Sequence, residues 1–529
     1  MLTEQSDSAL AEPAATSPRR RALLRKDLPV GAALVCGWLV IMLVHLRLPY
    51  PSDQLNYMTA AARFPHPVTE TTEMHQVTRF GLVVPARLAI ALFGYSQAAY
   101  HVVPILATLT LLLGTYAVGS LLFARPVGAA GAVVVVAATP VFQDSTDLLP
   151  DVLAAGLFTV ALAMALAVRR GRLTAGRGVL LLLGLLLGWS YLVREFIVFV
   201  WPLVAVLVFR RVRWPGLLWV TAPIAVLGLA ETLLCWAVYG DALARLHAVT
   251  GHGSAPSPPE IASTYRDKPR RLYLLRLPAT LDDYPEGAWF VLLLRLTVLG
   301  GLVRPRRFAI PVAWCALLWI PLTLLGGVID PSAPKLRLQL IRYWFPIFPA
   351  FVLGGLGVVW LTGRFVVARM RGPAAARRLT AALPVTAMLA TAALAAGTSA
   401  RGWWAGPGTR AGGETRFEEV RSWLSRHGGE GRTVWADQRT SKILEIYRHG
   451  PFGGVAWPGH VGRATPDGPA PAPGDLVFFF DTERGRVCGI CRRYAARTWG
   501  DPPRPGPGWR QVHASADGMA RVYLVGAAR

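Results

Sequence analysis

Long apolar runs recur along most of the chain, and short arginine-rich connectors separate them. The runs lie at 28–47, 97–123, 127–143, 151–168, 178–193, 196–209, 216–239, 287–303, 308–329, 343–363 and 379–399. A run of about 20 apolar residues crosses a bilayer core as a helix, because only then is every backbone polar group bonded inside the segment. About eleven spans follow. Only Arg194 and Glu195 part the fifth run from the sixth, so one broken helix there is an alternative count. Hydrophobic residues make up 53% of the 529 residues and charged residues 16%, too little charge to wet a soluble protein of this size. A purely soluble enzyme and a disordered scaffold are excluded. Residues 81–93 (GLVVPARLAIALF) are apolar but short and carry Arg87, which suits a helix lying at the interface.

The arginines decide what the net charge of +24 means. Arg19, Arg20, Arg21, Arg25 and Lys26 precede the first run, and Arg125 follows the second. Arg169, Arg170, Arg172 and Arg177 come next, then Arg210, Arg211 and Arg213, then Arg304, Arg306 and Arg307, and last Arg364, Arg369, Arg371, Arg377 and Arg378. They fall on alternate connectors that hold almost no acids, which is the positive-inside pattern. The expectation is a multi-pass cell-membrane protein with a cytoplasmic N-terminus and an extracytoplasmic C-terminus. A nucleic-acid binder would carry its charge as a stripe on a soluble face, so nucleic acid is not expected as a partner.

Three parts follow. Residues 1–27 form a basic cytoplasmic arm that leads into an uncleaved anchor. Residues 28–400 form the membrane domain, with outer loops 48–96, 240–286 and 330–342. Residues 401–529 form a small extracytoplasmic α/β domain. In this last part ETRFEEVRSWLSRH reads as an amphipathic helix, TVWAD as a strand, SKILEIYRHG as helical, and DLVFFFD and ARVYLVG as strands. Cys36, Cys235 and Cys315 sit in apolar runs and read as small apolar residues. Cys488 and Cys491 form a lone C-x-x-C, without the further ligands of a zinc site, and an outer disulfide is an alternative to free thiols.

Ionisable residues at or just outside membrane depth are the informative ones, since their desolvation is costly. Asp53 follows the first span, in PYPSDQLNYM, and reads either as a general base at the mouth of the bundle or as a helix cap with Ser52. The same loop carries His66, Glu70, Glu73, His75 and Arg79; Glu73 and His75 are candidates for a divalent cation, or are solvated loop residues. Asp144, Asp147 and Asp151 crowd the turn between the third and fourth spans. Asp147 and Asp151, four apart, suit one helix face bound to a cation or to arginines; the alternative is that Asp147 caps a helix with Pro150 in its first turn. Arg194 beside Glu195 is either half of a neutral pair or an arginine that binds an anionic phosphate. Lys335, Arg337 and Arg342 lie on the outer side, against the positive-inside trend, where an anionic ligand accounts for them. His247, His252, Tyr265, Arg266, Lys268, Arg270 and Arg271 belong to a loop that suits a lid.

Together these features resemble the polyprenyl-phosphate-sugar-dependent glycosyltransferases of the GT-C fold, in particular the protein O-mannosyltransferases and the bacterial aminoarabinose transferases. The resemblance spans about residues 28–400. It rests on Ser52-Asp53-Gln54 with Tyr57, Phe93-Gly94-Tyr95-Ser96 before a long span, Thr139-Pro140 through Asp151, Val193 to Glu195, and Arg342-Tyr343 opening a Pro-rich span. It implies an all-α polytopic GT-C-like fold closed by the small α/β domain. It also implies a membrane glycosyltransferase whose partners are a polyprenyl-phosphate-linked sugar, a cell-envelope acceptor (glycan, lipid or protein) and membrane lipids. Asp53 is then the catalytic base of an inverting single displacement. Arg194, Arg342 and Lys335 would meet the donor phosphate, and Tyr57, His75, Glu73, Asp144, Asp147 and Asp151 would contact substrate or metal. No cofactor is required by the resemblance, and a divalent cation is compatible with it. The family pattern often carries Asp-Glu where this chain has Asp53-Gln54. A transporter or lipid flippase, and a non-catalytic envelope assembly protein, are the competing classes; no paired halves with broken helices favour the first.

Overall fold

A computed structural model describes residues 18–46, 53–66, 74–252, 263–369, 382–405, 412–427, 431–448, 457, 459–480 and 491–526. The first half contains α1 (Pro18–Val44), α2 (Asp53–Arg63), α3 (Met74–Val77), α4 (Phe80–Phe93), α5 (Gln97–Leu122), α6 (Arg125–Ala137), α7 (Thr139–Asp144), α8 (Pro150–Arg169), α9 (Arg177–Val193) and α10 (Trp201–Tyr239). The principal later helices of the bundle are Gly287–Val303, Pro305–Thr323, Phe348–Arg369 and Leu383–Ala405. Among the described residues seven helical segments are long and apolar enough to cross a membrane, while Arg125–Ala137, Arg177–Val193 and Gly287–Val303 are apolar but shorter.

The break between the fifth and sixth runs lies at Arg194, whose φ of −149° and ψ of 120° are extended. The stretch that follows, Glu195–Tyr239, is continuous except at Arg213, where φ is 59°. Past Arg213 the chain runs beside α9 in the same direction: the Arg177 guanidinium lies 4.9 Å from the Trp219 ring, and a Cβ on Gly188 would touch Ile224. The chain therefore reverses at Arg213.

Small residues let the helices approach closely. A Cβ on Gly119 would sit 2.6 Å from the Gly128 Cα, and one on Gly128 would sit 2.4 Å from both the Tyr116 carbonyl oxygen and the Ser120 Oγ. This is how helices associate where burial of apolar surface supplies little drive. Bulky side chains fill the other face, with Phe158, Phe290, Trp314, Trp344, Phe345, Phe348 and Phe351 fully buried. The interfacial segment forms α4 as expected: Leu88 and Leu92 stay exposed, Arg87 donates to the Ala62 carbonyl at 3.1 Å, and Gly81 meets the backbone of Val193.

The C-terminal part is the expected α/β domain. Its five strands are β1 (Thr433–Asp437), β2 (His460–Ala464), β3 (Leu476–Phe480), β4 (Arg510–Ala514) and β5 (Ala520–Leu524), in the spatial order β2-β1-β3-β5-β4. β1 pairs in parallel with β2 and β3, and β5 pairs antiparallel with β3 and β4. The central strand β3 is buried at every position, which is why its sequence is an unbroken apolar run. The sequence reading omitted β2 and β4 because both lie at sheet edges and carry polar residues. Cys488 lies outside the described residues, as does the side chain of Cys491. One apolar cluster runs from Leu55, Met58 and Val83 to Leu444, Ile446 and Phe478, so the C-terminal domain shares a continuous core with α2 and α4.

Gly128→Leu is expected to lower stability by about 1–3 kcal/mol through overpacking against α5. Gly37→Leu, where an added Cβ meets nothing within 4 Å, is expected to leave it unchanged. Thermal unfolding of the two variants in detergent checks this.

Candidate functional site

Five segments bring charged side chains to the end of the bundle that faces the C-terminal domain. These are the first turn of α2, the residues around α3, the turn into α8, and the two irregular breaks at Arg194 and at the 3-10 turn Ile341–Ile347. The turn before α8 is held by its neighbours: the His101 ring Nδ1 lies 2.8 Å from the Thr146 carbonyl, and the Thr108 hydroxyl donates to the Ser145 carbonyl at 3.3 Å.

Asp53 sits at the start of α2. One oxygen accepts from Arg342 Nη2 at 2.9 Å and the other from Gln76 Nε2 at 3.2 Å. Burial pushes its pKa up, but Arg342, and after it His75 and Arg79, outweigh this and hold it below the ordinary carboxylate value. Asp151 is fully buried in the first turn of α8 and accepts from Arg194 Nε at 2.8 Å. Among the described residues its other oxygen has no hydrogen bond; it lies 3.9 Å from Arg342 Nε, which is likewise buried without one. Arg194, 3% exposed, lies 4.7 Å from the Tyr343 ring. The result is a chain of alternating charge, Asp53–Arg342–Asp151–Arg194, with Asp53 at its open end.

The ion pairs of Arg194 and Glu195 are made with other residues. The extended backbone at Arg194 sends the two side chains to opposite sides. Glu195 lies 3.5 Å from Arg79 Nε and 3.4 Å from Arg245 Nη2. Arg79 donates to the Tyr57 hydroxyl, and Arg245 also binds Glu231 and the Tyr191 carbonyl. The buried Tyr57 hydroxyl has its pKa raised by that burial.

Asp147 and Asp151 do not share a face. Asp147 precedes the helix and accepts from Tyr100 at 2.9 Å and from Gln54 Nε2 at 3.3 Å. Leu149 occupies the N-cap position of α8 and Pro150 its first turn, so Asp147 does not cap it. The contact also accounts for Gln54: an amide donates to Asp147, where a glutamate would repel it.

Other candidates stand apart. Lys335 is exposed, and its charge acts on Asp330. Asp144 ends α7, near Tyr284. His75 is buried beside Asp53, while Glu70 and Glu73 lie outside the described residues. Among the described residues no three His, Cys, Asp or Glu gather as a metal site. Of the residues expected in a lid, His247 is exposed and pairs with Asp241 at 2.8 Å, and Arg337 lies 5.2 Å from the Tyr265 ring.

Sequence reasoning missed Gln76, Glu231, Arg245 and Lys442. Glu231 carried a signal, being an acid inside an apolar run. Lys442 comes from the C-terminal domain and donates to the Asn56 side chain, one turn along α2 from Asp53. Burial, then repulsion from Arg439 and Arg463, pulls its pKa down to about 8, against the opposing attraction of Asp53.

No protein-family model matches the sequence, and no curated protein does. Solved structures do match. ArnT from Cupriavidus metallidurans bound to undecaprenyl phosphate matches at a TM-score of 0.53 and 12% identity, covering 96% of this chain and 99% of that one. The same protein in its apo state matches at 0.50 and 12%, covering 93% and 99%. The likeness extends over nearly the full length of both chains and establishes the fold. This is a GT-C-like polytopic membrane protein with a small α/β domain at its C-terminus, as the sequence resemblance implies.

The chain contains only four lysines, which makes Lys442 easy to follow. Its acylation rate, measured by peptide mass spectrometry against pH, is expected to reach half-maximum near pH 8. The cost that this burial sets against docking of the C-terminal domain is full below about pH 8 and is lost only as the pH rises from there to the ordinary lysine value. A midpoint above pH 10 would contradict the burial of this amine.

Proposed function

We propose that this protein is a membrane glycosyltransferase that takes a sugar from a polyprenyl-phosphate donor and passes it to a cell-envelope acceptor on the outer face, with inversion. The observation that supports it most is the position of Asp53, at the open end of the buried Asp53–Arg342–Asp151–Arg194 chain. An acceptor hydroxyl or amine attacks the anomeric carbon while Asp53 takes its proton. The bond from that carbon to the phosphate oxygen breaks from the opposite side, and the lipid phosphate leaves as an anion. Arg342 is the guanidinium placed to meet that charge, in a poorly solvated site where it counts most. Arg194 acts through Asp151, which it holds against Arg342. That the similar ArnT was solved with undecaprenyl phosphate bound supports a lipid-phosphate donor here.

The geometry also suggests an order of events. Arg342 is shared between Asp53 and Asp151 before any donor arrives. A donor phosphate that takes up the Arg342 fork loosens its hold on Asp53. The Asp53 pKa, lowered in the free protein, then rises toward that of a better base. The base is strengthened only once the sugar is present.

Asp53→Asn is expected to cut sugar transfer by about 10²-fold or more with the protein still folded, since general-base catalysis contributes about 10²–10⁴-fold. Membranes supplied with lipid-linked donor provide the assay, and full activity of the variant would sink the mechanism. Mass spectrometry of envelope glycans and glycoproteins after deletion of the protein identifies sugar and acceptor. Accumulation of substrate in proteoliposomes without a covalent product would point to transport instead.

A further inference from the structure

The opposite end of the bundle holds a second charged concavity that the transfer reaction does not use. It has a volume of about 410 Å³ and lies between the ends of α5, α8, Pro305–Thr323 and Phe348–Arg369. Arg169, Arg170, Arg306, Arg307 and Arg364 line it, with no acid in the lining. None of these five makes an ion pair among the described residues. Burial, and then Arg172 and Arg169, hold the Arg170 guanidinium below its ordinary value, the mark of crowded positive charge. The remaining wall is apolar and includes Trp360, a side chain favoured at the level of lipid headgroups. An adjoining cavity of about 370 Å³ shares Leu361 and is lined mostly by apolar side chains, among them Leu299, Val303 and Phe308.

Arginines that only set topology can lie anywhere on a connector. These come from three separate helix ends and converge on one cavity. Guanidiniums in that setting match a phosphate group, which they hold by paired hydrogen bonds. The apolar neighbour gives an attached chain somewhere to lie. We propose that this cavity binds a phosphate-bearing anion, with the headgroup of an anionic phospholipid from the surrounding leaflet as its source.

Native mass spectrometry of the full chain in non-ionic detergent tests this, with added phosphatidylglycerol or phosphatidylcholine. Phosphatidylglycerol is expected to be retained in preference to phosphatidylcholine, and the Arg306→Gln/Arg307→Gln double variant to bind it about tenfold or more weakly. Arg210→Gln/Arg211→Gln changes the same net charge at the same end, on exposed side chains outside the cavity, and is expected to bind as the parent does. Equal weakening in both double variants, or equal retention of the two lipids, would overturn the proposal in favour of diffuse attraction. Inorganic phosphate separates the two sources. A thermal shift with phosphate that the cavity variant abolishes, without retained lipid, supports the anion site and places its ligand in solution. Arg364→Gln, on another helix, repeats the measurement if the double variant fails to fold.

Discussion

A carboxylate with no exposure to solvent is the constraint around which one end of this membrane domain is arranged. Asp151 sits in the first turn of α8 with its side chain wholly buried, where an unpaired charge costs several kcal/mol. Arg194 must therefore be buried with it, and Arg194 reaches it only because α9 ends in an extended residue. Arg342, from a segment far along the chain, closes on the other oxygen. One desolvated charge thus fixes the mutual placement of α8, the end of α9 and the 3-10 turn ahead of Phe348–Arg369. Asp53 joins through Arg342 and inherits a defined position without being buried to the same degree.

The pairings here depend on backbone direction more than on proximity in sequence. Arg194 and Glu195 are adjacent, yet each belongs to a different network. Asp147 and Asp151 are four apart, yet one meets Tyr100 and Gln54 while the other meets Arg194. In both cases a helix boundary falls between the two residues, or just beside them, and turns their side chains apart. Gln54 follows the same logic, since the carboxylate next to it decides whether an amide or an acid is tolerated.

Much of this was legible in the amino-acid sequence. Apolar run length and the alternation of arginine-rich connectors outlined the bundle, because lipid admits few other solutions. Asp53, Asp151, Arg194 and Arg342 stood out as charges at membrane depth or on the wrong side of it, and the structure gathers all four. What escaped was whatever depends on two distant segments meeting. Gln76 and Arg245 look like ordinary loop or helix-end residues until their partners are in place. The reversal at Arg213 falls in the connector expected between the runs 196–209 and 216–239, but the edge strands β2 and β4 lack the apolar alternation that marks a half-buried strand.

The contact between Lys442 and Asn56 ties α2 to a titratable group of the C-terminal domain. Arg79, Arg194, Arg245 and Arg342 are guanidiniums, which keep their charge across any pH an envelope meets. Lys442 does not, and it is contributed by the C-terminal domain. The electrostatic field at Asp53 therefore has a fixed part, set by guanidiniums, and a titratable part, to which α3 contributes His75 and the C-terminal domain contributes Lys442. Mild alkalinity, or any displacement of that domain, changes the charge that Lys442 brings near Asp53.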